Sequence, residues 1–233
     1  MDWVDEEGSA ARLRTLFSDK NRFQFVTIIP GGATGYIFLF RERDPSTGAI
    51  RSFVVKIPND DDVVKYIRNE IHWLEVLKHS DHIIDMLQVH NNPLLPDENG
   101  TGGLGADFMI LEYLENGTLA DFIDKAQWNT IPNRILWHIF LCMTRACVAM
   151  AYPPSEGQRE DLRPVQPLSL SQWDMHTRNF MFDRMRLDKP EHSIMPALKL
   201  IDFDNAALME ENDVDPPDED DVEAFDDKLG LPQ

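Results

Sequence analysis

The sequence predicts an α+β fold in which a strand-rich first part precedes a mainly helical second part. Three observations predict it. Aromatic and β-branched residues fill 23–29 and 36–40, on either side of a Gly-rich turn. Apolar residues recur at helical spacing over 61–79, and a longer helical stretch begins after Pro132. With 233 residues, the chain has room for one large domain or two small lobes.

The remaining elements follow from local patterns. Ser9 is a suitable N-cap for a short helix that ends at Phe17. Along the rest of the chain we predict a turn at 44–48, a strand at 52–57, a strand at 83–89, a loop at 91–105, a strand at 108–114, a short helix at 120–125, a long helix at 130–150 with its Met and aromatic residues in the core, and a Pro-rich surface insertion at 153–167.

Composition excludes several classes of partner. The formal net charge of -19 argues against a general affinity for nucleic acid or anionic membranes, because both require clustered Lys and Arg. No run reaches the roughly 18 consecutive apolar residues of a membrane span, and the acidic start at 1–7 is unlike a signal peptide. Cys142 and Cys147 share one apolar stretch, and we interpret both as reduced core thiols without a metal. We therefore expect a soluble intracellular protein of the cytoplasm.

The Gly-rich turn between the first two strands is a candidate phosphate-binding loop. Gly32 and Gly35 allow the backbone to turn tightly and bring N–H groups close to phosphate oxygens. Ile37 follows two residues later, where its side chain would cover a flat base. Most Gly-rich turns have no ligand, so this interpretation depends on the rest of the chain.

Lys56 and Glu70 form a predicted buried ion pair. Lys56 lies in the strand at 52–57, on the same face as Val54. Glu70 falls in the middle of the apolar stripe of the helix at 61–79, where an unpaired carboxylate would be costly. Lys56 is the partner that removes this cost, and the pair would hold the lysine against nucleotide phosphates.

Three polar residues in the second half have the chemistry of phosphoryl transfer. Asp174 precedes Asn179 by five positions, and Asp202 ends the apolar run at 198–201. A carboxylate that orients an attacking hydroxyl, together with an amide oxygen and a second carboxylate that hold magnesium, are the groups such a reaction requires.

Over about 23–208 the chain resembles a eukaryotic-type protein kinase domain. The motifs follow the order of that family: Gly32 and Gly35, Lys56, Glu70, a hinge-like Glu112–Leu114, Asp174, Asn179 and Asp202. The resemblance implies a two-lobed fold with an antiparallel sheet and one helix in the N-lobe and an incomplete, mainly helical C-lobe. It divides the chain into an extension at 1–22, an N-lobe at 23–111, a partial C-lobe at 112–208, and an acidic tail or truncated activation segment at 209–233.

The resemblance also implies a nucleotide site for ATP and Mg²⁺. Lys56 would contact the α- and β-phosphates and pair with Glu70. The backbone at Glu112 and Leu114 would bind adenine, with Leu111 as the gatekeeper. Four more residues complete the implied binding set: Gly32, Gly35, Ile37 and Val54.

The implied reaction transfers the γ-phosphoryl group of ATP to a Ser or Thr hydroxyl of a protein substrate. Asp174 would accept the proton of that hydroxyl, and Lys56 and Glu70 would complete the catalytic set. Asn179 and Asp202 would hold the magnesium ion.

Four residues depart from the family pattern. In the HRD motif, Gln172 replaces His and Trp173 replaces Arg, and Asp204 stands where the DFG motif ends in Gly. These departures favour an inactive pseudokinase or interaction module as one alternative. His176 favours another, a small-molecule kinase of the aminoglycoside or choline type, whose loops often contain Asp-x-His. A dedicated transition-metal site at His176 has weak support, because further ligand spacing is missing.

The C-terminal segment departs further from a kinase. It has no APE motif, and no Ser, Thr or Tyr follows Asp204, so we expect no activation-loop phosphate and an incomplete substrate platform. Val222, Phe225 and Leu229 form a short amphipathic pattern within a run of acidic residues.

Overall fold

The computed structural model describes residues 5–126 and 130–209, which divide into two compact units. The first takes the described residues up to Ile71 together with Met86–Tyr113. The second takes His72–Asp85 and the described residues from Leu114 onward. The predicted extension therefore belongs to the first unit. The acidic tail and the amphipathic pattern at 222–229 lie outside the described residues.

The first unit is built on a four-stranded antiparallel sheet, which confirms the α+β class. Its elements are α1 (Glu6–Leu16), β1 (Phe23–Ile29), β2 (Tyr36–Arg43), β3 (Ile50–Ile57), α2 (Val64–Val76), whose last turns belong to the second unit, and β4 (Met109–Glu112). The strands lie in the order β1-β2-β3-β4. The four strands predicted over these segments are confirmed, with ends that differ by up to three residues.

One face of this sheet packs against α1 through an aromatic core. Phe40 of β2 and Phe53 of β3 stack with ring centroids 5.7 Å apart, and Phe17 beyond the end of α1 lies 4.6 Å from the Phe40 ring. Leu13 of α1 is fully buried in the same cluster. Alternation along the strands sends the intervening side chains to the other face.

The predicted start of α1 was wrong. Asp5, not Ser9, is the N-cap, because its carboxylate accepts a hydrogen bond of 2.8 Å from the N–H of Gly8. Ser9 lies inside the helix and is buried. An acidic cap also interacts favourably with the positive end of the helix dipole.

The segment predicted as a strand at 83–89 was also wrong. It makes two isolated bridges, Ile83 with Leu200 and Met86 with Leu111, instead of a ladder. Its backbone hydrogen bonds go to different strands, since the N–H of Ile84 donates to Leu200 and that of Leu87 to Ile110. An apolar run therefore predicted burial correctly and pairing incorrectly.

The second unit combines helices with two short antiparallel strand pairs. Its elements are α3 (Leu119–Ala126), α4 (Asn133–Ala151), β5 (Leu170–Ser171), β6 (Phe180–Phe182), a 3₁₀ turn (Pro190–His192), β7 (Leu198–Leu200) and β8 (Ala207–Leu208). β5 pairs with β8, and β6 pairs with β7. α4 packs against β7.

The core prediction for α4 was wrong along one face. Cys142 and Met150 are buried, but Trp137 and Phe140 are 69% and 60% exposed. Cys147 is exposed as well, so only one of the two free thiols is in the core. Among the described helices, α4 alone has the length and apolar composition of a membrane span, a test that core helices of soluble proteins also pass.

Candidate functional site

The predicted ion pair is present in the first unit. Lys56 Nζ lies 2.6 Å from Glu70 Oε2, and only 6% and 1% of these residues are exposed. Burial of two charges is expensive, and their attraction offsets that cost only when the geometry is good. The short contact between a central strand and α2 meets this condition.

The register of the sheet places four of the predicted nucleotide contacts, Ile37, Val54, Lys56 and Leu111, on one face. Ile37 and Met109 lie directly opposite Lys56 on the neighbouring strands. Val54, two residues before Lys56, lies opposite Leu111. Residues that are directly opposite or two apart share a face, so these side chains surround Lys56 on the face away from the aromatic core. The result is an aliphatic surface with one buried cation.

The Gly-rich turn requires two glycines, of which the sequence identified one. A Cβ on Gly35 would lie 2.4 Å from the carbonyl oxygen of Ile57, and a Cβ on Gly31 would lie 2.4 Å from that of Gly35. Both contacts are with backbone, so neither neighbour yields easily. Gly32 has open space at the same position. Close backbone approach therefore requires Gly31 and Gly35 to be glycine, while phosphate binding by Gly32 and Gly35 stays a prediction.

The predicted adenine-binding segment, Glu112–Leu114, contains a boundary between the two compact units. Glu112 is the last residue of β4 and lies opposite Phe53 of β3. Tyr113 is the last residue of the first unit, and the chain enters the second unit again at Leu114, which is buried. The link is thus a short connection that leaves the sheet directly after Leu111 and Glu112.

In the second unit, Asn179 holds the carboxylate of Asp174. Its side-chain Nδ2 donates hydrogen bonds to the Asp174 carbonyl at 3.0 Å and to Oδ2 at 2.9 Å. Asn179 is buried, whereas 48% of the Asp174 side chain is exposed. The amide therefore orients a carboxylate that stays accessible to another molecule.

His176 contributes a second contact to the same carboxylate. Its Nδ1 accepts the N–H groups of Arg178 and Asn179, each at 3.2 Å. In a neutral ring the proton is then on Nε2, which lies 3.5 Å from Asp174 Oδ2. His176 and Asn179 thus approach the same oxygen of Asp174.

Gln172 has a positioning role that the sequence did not suggest. Its Nε2 donates to the Asp202 carbonyl at 2.5 Å, and its Oε1 accepts the N–H of Asp174 at 3.0 Å. One buried amide thereby links the backbone of the Asp174 loop to that of the Asp202 turn. The signal in the sequence for this role was that a Gln side chain carries both a hydrogen-bond donor and an acceptor.

Backbone strain is concentrated at two positions next to these bonds. Trp173 and Asp202 have φ angles of 61° and 64°. Asp tolerates this region, but a bulky residue such as Trp rarely adopts it. Strained backbone of this kind costs about 1–3 kcal/mol per residue and is frequent at functional sites.

Asp204, which stands at the Gly position of the family motif, does not need the freedom of Gly. Positive φ occurs at Asp202 and not at Asp204. The Asp204 side chain is buried and accepts a 2.8 Å hydrogen bond from Asn205 Nδ2. Asp204 therefore occupies this position without a left-handed backbone.

The antiparallel pairing of β6 with β7 brings the backbone at Asn179 close to the segment that leads into Asp202. Asn179 directly precedes β6, Asp202 closely follows β7, and the N–H of Ile201 donates to the Asn179 carbonyl at 2.9 Å. The second unit therefore links the segments that carry Asp174, Asn179 and Asp202, and the first unit places Ile37, Val54 and Leu111 beside Lys56.

No protein-family model matches the chain, and no curated protein matches it at a significant level.

Proposed function

We propose that this protein is a protein-kinase-like domain that binds ATP with Mg²⁺ and transfers the γ-phosphoryl group to a Ser or Thr hydroxyl of a protein. The observation that supports it most is the buried Lys56–Glu70 pair at 2.6 Å on an otherwise aliphatic sheet face. A buried lysine held in this way is well placed to neutralise phosphate charge.

The face around Lys56 suits a nucleotide in polarity. Ile37, Val54 and Leu111 offer apolar surface for a flat base, while the lysine offers a charge for the phosphates. In this proposal the backbone of Glu112 and Leu114 binds the adenine edge, and Glu70 keeps the lysine in place.

The residues of the second unit fit a magnesium ion. Mg²⁺ prefers oxygen ligands, and a carboxylate and an amide oxygen are both available. Because Asn179 Nδ2 donates to Asp174, the side-chain oxygen is the atom of Asn179 left for a cation. The Asp202 carboxylate supplies the second ligand, and the bound ion would neutralise charge on the transferred phosphoryl group.

Asp174 would act on the substrate hydroxyl. Asn179 and His176 approach one carboxylate oxygen, which restricts the rotation of the group. A carboxylate in a fixed position accepts the hydroxyl proton and aligns the oxygen for attack, and positioning of this kind is most of what phosphoryl transfer requires from a protein.

The first test is a titration with ATP, with and without Mg²⁺, that follows the thermal midpoint. ATP at a hundredfold excess over its dissociation constant is expected to add about 2.7 kcal/mol to the free energy of unfolding. Lys56→Met should lose the shift. Lys78→Met, an exposed lysine with the same change of charge, should keep it.

A second variant separates the metal from the nucleotide. Asp202→Asn removes the carboxylate, and Asn tolerates the left-handed backbone that Asp202 adopts. The Mg²⁺-dependent part of the shift should disappear while the variant remains folded. An unchanged shift in Asp202→Asn and Lys56→Met would overturn the proposal.

A small-molecule kinase is the second candidate, because His176 contacts the carboxylate of Asp174 in place of the usual lysine of protein kinases. Assays with aminoglycosides and choline beside generic protein substrates distinguish the two. Turnover of a small alcohol alone favours this candidate. Binding of a protein partner without ATP turnover favours a pseudokinase, in which Trp173 has replaced the usual arginine.

A further inference from the structure

Three potential metal ligands converge inside the second unit, apart from the residues proposed for catalysis. His82 comes from the loop after α2, Cys142 from α4 and His192 from the 3₁₀ turn between β6 and β7. One ligand atom from each lies within 4.8 Å of the others, and all three residues are at least 97% buried. Polar groups buried together in this way need partners.

Two of the ring nitrogens lack partners. Within the described residues, His82 Nε2 and His192 Nδ1 are buried and make no hydrogen bond. An unsatisfied polar atom in the interior costs about 1–3 kcal/mol. Two such atoms beside a buried sulfur are better explained by a shared ligand than by chance.

Glu160 prepares His82 for coordination. Its Oε1 lies 3.1 Å from His82 Nδ1 and also accepts bonds from Ser80 Oγ at 2.7 Å and from the His82 N–H at 3.0 Å. A carboxylate on one ring nitrogen fixes the ring and leaves the other nitrogen for a metal. Glu160 is 5% exposed, although it lies in the segment predicted as a surface insertion.

His138 is the nearest further imidazole, but it has a different role. Its Nε2 lies 3.6 Å from the Cys142 sulfur and 2.9 Å from the carbonyl oxygen of Pro196. A carbonyl only accepts, so this nitrogen is a donor and has no free lone pair for a metal.

We propose that His82 Nε2, His192 Nδ1 and the Cys142 thiolate bind a Zn²⁺ ion, with Glu160 as the positioning carboxylate. Imidazole and thiolate ligands suit zinc, and water would take the fourth tetrahedral position. The two charges of the ion are balanced by the thiolate and by Glu160, so the buried site is neutral as a whole.

Binding of the ion requires the three ligand atoms to move closer together. Metal–ligand bonds of about 2.0–2.3 Å in a tetrahedral site place ligand atoms about 3.3–3.7 Å apart. The present separations of up to 4.8 Å therefore shorten by side-chain rotation when the ion binds.

The protonation of the two histidines affects coordination in opposite directions. Burial and the charges of His82 and His138 lower the pKa of His192 to about 4, so its ring is neutral near pH 7. Burial lowers the pKa of His82, but the Cys142 sulfur and Glu160 outweigh this and raise it to about 9. Binding of Zn²⁺ through Nε2 therefore requires the His82 ring to lose a proton.

The site would join three segments that are distant in sequence. The loop after α2, α4 and the segment between β6 and β7 would all be attached to one ion. The metal would thus stabilise the folded second unit, since an unfolded chain lacks the assembled ligands. The inference does not depend on nucleotide binding.

Cobalt titration of the full, tag-free chain tests the proposal after metal has been removed with a chelator. Cobalt bound through a thiolate gives a charge-transfer band in the near ultraviolet. We expect saturation at one equivalent and displacement of the band by Zn²⁺. Cys142→Ser should abolish the band, while Cys147→Ser, five residues later in the same helix, should retain it.

Two further variants keep the test decisive if Cys142→Ser fails to fold. Glu160→Gln should weaken affinity for the ion by about 10- to 100-fold while leaving the thiolate band in place. His192→Gln should likewise retain the band and reduce affinity at least tenfold. The absence of a band in the parent chain, its loss in Cys147→Ser, or wild-type affinity in His192→Gln would overturn the proposal.

Discussion

The Lys56–Glu70 pair and the His82–Cys142–His192 cluster are both buried and polar, yet they differ in whether their partners lie within the protein. Lys56 and Glu70 satisfy each other at 2.6 Å. The cluster leaves two ring nitrogens without hydrogen bonds among the described residues. A completed ion pair is stable without a further partner, whereas an incomplete cluster indicates a missing component.

Breaking the Lys56–Glu70 ion pair should have the largest effect on the free energy of unfolding. Glu70→Ala leaves the buried Lys56 charge uncompensated and is expected to cost about 3–5 kcal/mol. The double variant Lys56→Met with Glu70→Leu removes both charges and should recover most of this loss. Urea unfolding of the two variants measures the difference, and equal destabilisation would contradict the role given to the pair.

Zinc should reverse the sign of the stability change caused by a mutation in the cluster. His192→Leu removes an unpartnered nitrogen, so it should be neutral or stabilising in chelator-treated protein. With Zn²⁺ at a hundredfold excess over its dissociation constant, the parent gains about 2.7 kcal/mol, which the variant lacks. Thermal midpoints in chelator and in zinc measure both values. The same effect of the mutation in both conditions would place the two histidines in an ordinary core.

The Gly-rich turn beside Ile37 offers a smaller test of the first region. Gly35→Ala places a Cβ against the Ile57 carbonyl and should cost about 1–3 kcal/mol, as overpacking does. Gly32→Ala meets open space and should change stability by no more than about 0.5 kcal/mol. Comparable losses in the two variants would show that backbone freedom, not close approach, selects glycine here.

The two regions also differ in how far the sequence predicted them. Lys56 and Glu70 were identified because strand alternation and a helical stripe each place one residue on a known face. His82 and His192 were not identified, and Cys142 was interpreted only as a core thiol. Their positions in a loop, a 3₁₀ turn and a long helix have no common period, so local patterns contain no signal for their convergence.

Other differences between the predictions from sequence and the structure have the same origin. The segment at 83–89 has the composition of a strand, but its backbone bonds go to two different partners. Trp137 and Phe140 follow the apolar pattern of α4, yet the face they occupy is not covered by the described residues. Gln172 was a departure from a motif in the sequence and is a link between two loops in the fold.

The sequence by itself determined the α+β class, most strand and helix positions, the Lys56–Glu70 pair, and the order of residues that supports a kinase-like proposal. These depend on periodicity within a few turns or strands, which a linear pattern records. Only the tertiary structure decided which glycines the turn needs, how Asn179 and His176 orient Asp174, and that two histidines and a cysteine meet in the interior. Those relations depend on contacts between distant segments, because close packing and hydrogen-bond satisfaction are properties of the assembled chain.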